Sequence, residues 1–276
     1  GELIIDSDFE FAIKKIRGSS ASDDFSWLAE GQEKEVINES WALDIKTVTK
    51  DADLTLDPKR YCRKVMQLRQ KLKKEEHLLL GDIIDFIPEK FSAIHKPNKI
   101  VSSNLYKYVE IQDIGYGDYN INEMRGWQLP SRARHFAEEG DIYFGSIWGS
   151  VSKWCYIGKG TESIVLTNGC HRCRIKAGQE KYLLDLLSYM NSEGWSVQLR
   201  SMSRGSDGLA EVSIDDAKQI IIPVLDDAEI RNEIQPFIDN LQAGRVTISN
   251  TIGMMINKKQ WKIDEPKARP SHIVLV

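Results

Sequence analysis

Tyr182-Leu-Leu-Asp-Leu-Leu-Ser-Tyr-Met190, Arg200-Ser-Met-Ser-Arg-Gly-Ser206, Ser213-Ile-Asp-Asp216 and Ile220-Ile-Ile-Pro223 follow one another inside Tyr182–Asn257. The first segment reads as a short apolar helix and the second as a flexible basic loop. The third opens another short helix, and the fourth is an apolar run stopped by proline. A long helix with a seven-residue apolar repeat comes last. A basic loop on a compact α/β scaffold, followed by a helix built to pair, suggests a reader of a charged polymer held in an assembly. No catalytic centre is visible in this stretch.

The last helix is read over Glu229–Asn257. With Ile234 at position a, the later a positions are Leu241, Ile248 and Met255. Position d holds Ile230 and Phe237 and then weakens to Gly244 and Thr251, with Ile238 and Ile252 alongside. Ile230, Ile234, Phe237, Leu241, Ile248, Ile252 and Met255 therefore form a candidate docking stripe for a partner helix, in this protein or in a dimer. Packing of the helix on its own domain is the alternative, since such a helix does not stand alone.

Upstream, Leu78–Ile87 begins a compact unit, and β-like runs follow at Tyr106–Ile111, Asp141–Ser146, Trp154–Ile157, Ile164–Leu166 and Cys170–Ile175. Short strands punctuated by glycine and then helices predict an α+β fold with a curved or barrel-like sheet, short helices and a long coiled-coil-type helix. Before it, Asp6–Arg17 reads as a helix and Trp41–Thr49 as a strand. Asp57-Pro58 starts a helix to about Glu76. Tyr61, Val65, Leu68 and Leu72 line its apolar face, and Arg60, Arg63, Lys64, Lys71, Lys73 and Lys74 its basic one. The expected divisions are an acidic leader with a basic helix over residues 1–78, a recognition unit over 79–225, the long helix over 226–262 and a tail over 263–276. The chain begins with Gly1 rather than Met, which suggests a piece of a longer polypeptide.

A chain of 276 residues can bury one sizeable core, and 41% hydrophobic with 28% charged residues is ordinary for a globular protein. No apolar run reaches the roughly 18 residues that span a bilayer. Four cysteines do not make a disulfide scaffold, and a reducing cytoplasm is the expected location. The net charge of −4 conceals a gradient: residues 1–57 carry 6 basic and 14 acidic side chains, whereas 125–205 carry 11 and 7. Local charge governs phosphate binding, so a modestly basic centre permits a nucleic-acid partner.

Several chemistries lack their motifs. A base methyltransferase needs a glycine-rich cofactor loop and an Asn/Asp-Pro-Pro-aromatic tetrapeptide, and the chain has neither, nor a Walker loop, His-Glu-x-x-His or Gly-x-Ser-x-Gly. Cys170-His-Arg-Cys173, with Cys155, His135 or His171, offers half of a zinc site, but an extended segment puts residues 170 and 173 on opposite faces. No metal site and no active site are assigned. The basic residues make the better case. Arg125, Trp127, Arg132 and Arg134 lie around Pro130, and Lys153 and Lys159 flank a loop near Trp148 and Trp154. Arg172 and Arg174 share a strand face, and Arg200, Arg204 and Ser206 sit in the glycine–serine loop. Arginine forks to guanine or clamps phosphate, while serine fixes register.

Leu80-Gly-Asp-Ile83, Tyr108-Val-Glu-Ile-Gln-Asp-Ile114, Gly140-Asp-Ile142 before Ser146 and Gly149, Tyr182-Leu-Leu, Gly205-Ser206, Val212-Ser-Ile214 and Ile220-Ile-Ile-Pro223 occur in one order before a long helix. In that order the chain resembles a target recognition domain of the specificity subunit of type I restriction-modification systems, over about Leu80 to Asn257. The family usually approaches its long helix through Pro-Pro-Leu and a glutamine. Here the segment is Pro223-Val-Leu-Asp-Asp-Ala-Glu-Ile230, and one recognition unit stands where whole subunits carry two. Leu54-Thr-Leu-Asp-Pro-Lys-Arg-Tyr61 is similar to the segment that follows adenine-N6 methyltransferase domains in fused proteins. The resemblance implies the C-terminal part of such a fusion, with a free-standing half-subunit as the alternative.

What the resemblance implies is recognition of half of a bipartite site in double-stranded DNA, without catalysis by this region. The loops 115–135, 148–162 and 200–206 would face the duplex, and the long helix would be spacer and docking element. The implied partners are a methyltransferase domain or subunit carrying S-adenosylmethionine and a restriction subunit, with no cofactor on this chain. The family has no fixed base-reading residues, so the arginines above rest on chemistry. An assembly module whose basic patches serve protein contacts is the alternative from another class, and a small enzyme with an unfamiliar centre is a third.

Overall fold

The computed structural model describes residues 39–43, 58–61, 63–87, 100–160, 163–205, 210–245 and 270–275. The chain divides into two units, one of residues 1–70 with 263–276 and one of residues 71–262. In the first, β1 (Glu39–Leu43) runs parallel to β13 (Pro270–Leu275), with Ser40 opposite His272 and Leu43 opposite Leu275. The segment read as a tail therefore supplies a strand, which its Ile273-Val-Leu275 run favours. A 3-10 turn over Pro58–Tyr61 precedes α1 (Arg63–Leu72). Tyr61, Val65, Leu68 and Leu72 are buried as their spacing predicts, but so is Arg60, which the helical reading exposed. The tighter period of the 3-10 turn rotates it off the basic face. The predicted helix over Asp6–Arg17 lies outside the described residues.

The second unit is α+β. In chain order it contains β2 (His77–Leu79), the single turn α2 (Leu80–Ile83), β3 (Ile84–Phe86), β4 (Leu105–Val109), β5 (Tyr116–Gly117), β6 (Asn122–Arg125) and β7 (Ala133–Phe136). Then come β8 (Asp141–Gly145), β9 (Trp154–Tyr156), β10 (Ile164–Thr167), β11 (Cys170–Ile175), α3 (Leu183–Met190), α4 (Glu193–Met202), α5 (Ile214–Ala217), β12 (Ile221–Pro223) and α6 (Ala228–Gln242). One mixed sheet has the order β6-β4-β10-β7, and a second has β3-β11-β8-β9-β5. A third pairs β12 with β2. The described strands form separate sheets, two of them mixed, and close no barrel.

The chain changes sheets at Asn168-Gly169, between β10 and β11. Side chains of β10 alternate across its sheet. Ile164 and Leu166 join Val109, Tyr143, Cys155 and Cys170 in one core cluster, while Val165 joins Tyr106, Tyr108 and Ala133 in another. Strand β8 is buried along its whole length, which suits its apolar centre Ile142-Tyr-Phe144.

A helical layer completes the unit. Ser192 caps α4 by accepting the Trp195 amide at 3.2 Å, and Trp195, Leu199 and Met202 bury one face at helical spacing. This helix absorbs Arg200 and Met202, so the first half of the segment read as a flexible loop is helical. Gln198, inside α4, donates to the Ile221 carbonyl at 2.9 Å and accepts the Ile221 amide at 2.9 Å, matching both backbone groups of that residue of β12. The second short helix begins as read, with Ser213 accepting the Asp216 amide at 3.1 Å.

Helix α6 stops at Gln242, inside the predicted span, and residues 246–257 of that span lie outside the described residues. Gly244 has a φ of 71°, its amide donates to Leu241 at 3.0 Å, and the Arg245 amide reaches back to Asn240 at 2.8 Å. These two bonds and the left-handed glycine form a Schellman stop, and the glycine sits where the heptad placed a d residue. The stop rests on the loop after β9. The Lys159 amide donates to Gln242 at 3.0 Å, and a Cβ on Gly158 would lie 2.1 Å from the Leu241 carbonyl oxygen. Side chains at either glycine would separate these two backbones.

Candidate nucleic-acid interface

One end of the β6-β4-β10-β7 sheet carries a projection. Leu105 of β4 stands opposite Arg125 of β6, and the 101–104 turn is sewn to the start of the following 3-10 turn. The Gly126 amide donates to Asn104 at 2.9 Å and the Trp127 amide to Ser102 at 3.2 Å. Gln128 accepts the Arg125 amide at 2.8 Å, and the Arg125 guanidinium donates to the Ser103 carbonyl at 3.0 Å. On this frame Trp127 is 69% exposed, Leu105 54% and Val101 45%. Large apolar side chains held in water by ordered backbone are suited to binding. Among the described residues the partner of the Arg125 guanidinium is a neutral carbonyl and not an acid. The sequence reading found Arg125 and Trp127 but missed Val101 and Leu105, for which the polar Ser102-Ser-Asn104 turn was the available signal.

The other predicted arginines are placed differently. Arg132 pairs with Glu110, and Arg134 Nε donates to the Ser131 carbonyl at 2.9 Å. Arg172 and Arg174 do share a strand face, but both converge on buried Asp141. Arg172 Nε donates to one carboxylate oxygen at 2.8 Å, and Arg174 donates to the other at 2.5 Å. The Glu138 amide and side chain complete the cluster. These two arginines clamp β8 to β11, Arg172 with its side chain 13% exposed and Arg174 with 38%. Lys153 is likewise turned inward, its ammonium donating to the carbonyls of Ile111 at 3.0 Å and Gln112 at 3.1 Å. Lys159 is exposed beside the end of α6. The acids that take the arginines, Glu110, Asp141 and Asp216, stand in segments quoted from the sequence, but they are distant along the chain from their partners and spacing does not reveal the pairs.

Arg200 projects from α4 with its guanidinium 5.7 Å from the Trp148 ring centroid. Arg204 pairs with Asp216 at 3.1 Å and forms a β-bridge with Glu211, which also bridges Ile147. The base of the 203–212 excursion is therefore a small ordered sheet. Ser206 lies outside the described residues. Arg125 on β6 and Arg134 on β7 stand at opposite edges of one sheet, with Trp127 and Arg132 in the turns that adjoin those strands, and Arg200 and Arg204 lie on another part of the unit, so no single site among the described residues gathers all of them.

Arg204 also lines a cleft of about 490 Å³ with Phe86, His135, Asn168, His171 and Glu211. Burial first, then Arg172, His171 and Arg134, push the His135 pKa down to about 4. Burial lowers His171 as well, and its Nε2 lies 2.8 Å from the Val212 carbonyl, which assigns the proton to that nitrogen. Cys155, Cys170 and Cys173 are buried thiols pushed upward chiefly by burial, the opposite of what a reactive cysteine or a metal ligand needs. Among the described residues no group of three or more His, Cys, Asp or Glu is placed to hold a metal ion.

Four members of the predicted docking stripe, Ile230, Ile234, Phe237 and Leu241, are buried in their own unit. Arg231 binds Asp185 of α3 at 2.6 Å, and Phe237 lies against Gly117. Burial raises the Asp185 pKa despite this partner. These four residues are corrected from a partner-facing stripe to the packing face of α6, since the apolar side of the helix finds α3 first. Ile248, Ile252 and Met255 lie outside the described residues.

No protein-family model matches the chain, and no curated protein does. Its backbone is similar to solved structures of restriction-modification proteins. One, from work on complex assembly and conformational transition of the type I R-M system, is 18% identical with a TM-score of 0.43, over 62% of this chain and 43% of that one. A second, the HsdS subunit from Thermoanaerobacter tengcongensis, is 17% identical with a TM-score of 0.43, over 62% and 43%. A third, the type I S subunit from M. genitalium, is 11% identical with a TM-score of 0.38, over 60% and 39%. The chain spans less than half the length of these structures, and at such identities the likeness is one of fold alone.

Proposed function

We propose that this chain reads double-stranded DNA as the recognition part of a restriction-modification specificity protein. The observation that carries the reading is the ordered projection of Val101, Leu105, Arg125 and Trp127, where no acid among the described residues pairs with the Arg125 guanidinium. Arg125 would fork to a guanine edge or clamp a phosphate, and the apolar side chains would meet thymine methyl groups and sugars. The order of motifs from Leu80 to Pro223 supports the same reading. The finer assignment is that the chain directs an adenine-N6 methyltransferase, which brings S-adenosylmethionine and flips the target base, together with a restriction subunit. Function here is binding, and the chemistry belongs to the partners.

The test is duplex binding by the full chain at rising salt, followed by selection from random duplexes. Affinity should fall with salt, and a sequence preference should emerge. Arg125→Ala and Trp127→Ala should each weaken selected duplexes by about tenfold, since one good base or phosphate contact is worth about 1–3 kcal/mol. Unselective binding indifferent to both substitutions would overturn the reading. The exposure of Val101, Leu105 and Trp127 favours one rival, a protein-docking module. That rival predicts no duplex binding and loss of a protein complex in the same variants.

A further inference from the structure

The cleft beside Arg204 is independent of the projection and holds an unexplained group. His135 is 7% exposed and lines the cleft, yet neither ring nitrogen makes a hydrogen bond among the described residues. With no protein partner among the described residues, the neutral ring offers one donor and one acceptor to whatever enters the cleft. A second imidazole adds to it. His171 commits Nε2 to Val212 and leaves Nδ1 as an acceptor. Asn168, exposed at the turn between the sheets, brings an amide with both functions.

The walls are flat. The Phe86 and His171 rings meet edge-on at 5.7 Å. The charges that border the space are already matched: Arg172 is held by Asp141, and Arg204 by Asp216 and beside Glu211. An anion would find no uncompensated cation, and a cation no uncompensated acid. What fits is uncharged, planar and rich in adjacent donors and acceptors, and a volume of about 490 Å³ accepts a single heterocycle with its sugar.

We propose that this cleft is a pocket for one unpaired nucleobase, contacted by His135 and Asn168 against the Phe86 and His171 rings. The base could come from a free nucleoside or be a base displaced from a DNA strand. The second source rests on the DNA reading above, and the pocket itself does not.

The experiment uses the full chain and two kinds of probe. The four deoxynucleosides are titrated while the histidine ring resonances and the heat of binding are followed. A duplex with one bulged base is then compared with the same duplex fully paired. At least one nucleoside should shift the His135 and His171 resonances saturably, and His135→Phe and Asn168→Ala should weaken it by about tenfold, the loss expected for a buried hydrogen bond. If the base comes from DNA, the bulged duplex is preferred, and both substitutions erase the preference while leaving the paired duplex unchanged. Nucleoside binding without that preference supports the pocket and assigns the free nucleoside. Nucleoside binding with no duplex binding at all supports the pocket while overturning the DNA reading. No resonance shift and equal affinity for both duplexes overturn the pocket. Should His135→Phe fail to fold, Asn168→Ala at the exposed turn decides alone.

Discussion

Arg125 and Arg172 are both strand arginines of one unit, and they end in opposite circumstances. Arg172 lies beside β8, whose first residue Asp141 is buried, and its side chain is 13% exposed with its charge matched. Arg125 lies on β6 at a sheet edge, opposite apolar Leu105, and its guanidinium meets a backbone carbonyl. A carboxylate one strand away decides whether a cation is structure or surface. Counting basic residues along the sequence cannot register this, because the neutralising acid arrives through sheet pairing.

Four measurements press on that contrast. The largest effect is expected from Asp141→Ala, which removes the buried carboxylate shared by Arg172 and Arg174 and leaves them only the exposed Glu138. Removing one partner of such a pair typically costs about 3–5 kcal/mol, read as a fall in the denaturant midpoint. A loss below about 1 kcal/mol would place Arg172 with the surface cations after all.

Acid gives the second effect. His135 is held near a pKa of about 4 in the fold, first by burial and then by Arg172, against 6.5 for the free side chain. The unfolded chain therefore takes up the proton first. Stability from keeping this ring neutral is complete above pH 6.5 and is lost as pH falls toward 4, by about 3 kcal/mol. His135→Phe should flatten that part of the stability–pH curve, and an unchanged slope would show the ring to be accessible.

The third is Arg125→Ala. Duplex affinity should drop about tenfold and the salt slope by about one, with stability changed by less than about 0.5 kcal/mol. The smallest effect belongs to Arg132→Ala, whose cation is matched by Glu110 while its side chain is 54% exposed. It should cost under about 1 kcal/mol in stability and less affinity than Arg125→Ala. Equal losses of affinity in the two variants would break the contrast between matched and unmatched arginines.

Much of the fold was legible because local signals agree with burial. Cys170–Ile175 is a strand over the residues read for it, and Ile164–Leu166 and Trp154–Ile157 fall within a residue of β10 and β9. Ser213 caps the helix that its sequence announces. The misreadings have one source, the competition of tertiary partners with local pattern. Arg200-Ser-Met-Ser looks like a loop by composition, yet Trp195, Leu199 and Met202 find a core and carry the helix through it. The heptad repeat read past Gly244 was fitted to side chains and missed a backbone stop that only a glycine makes readily. The α6 stripe was correctly seen as apolar, but its partner is α3 of the same unit. Of the candidate site, Arg125 and Trp127 were found through residue type; the cleft was not, since Phe86, His135, Asn168 and Glu211 are brought together only by the change of sheet at Asn168-Gly169.

The contact between Gly158 and Gly244 has a consequence for how such a protein can diversify. Helix α6 is seated there by main chain against main chain, with no side chain between them. Substitutions on the exposed projection or around the cleft therefore have no lever on where the helix terminates. Whatever follows Arg245 sets out from a fixed origin, while the surfaces that meet ligands are free to be rewritten. A change at either glycine would shift that origin for every version of the surface at once.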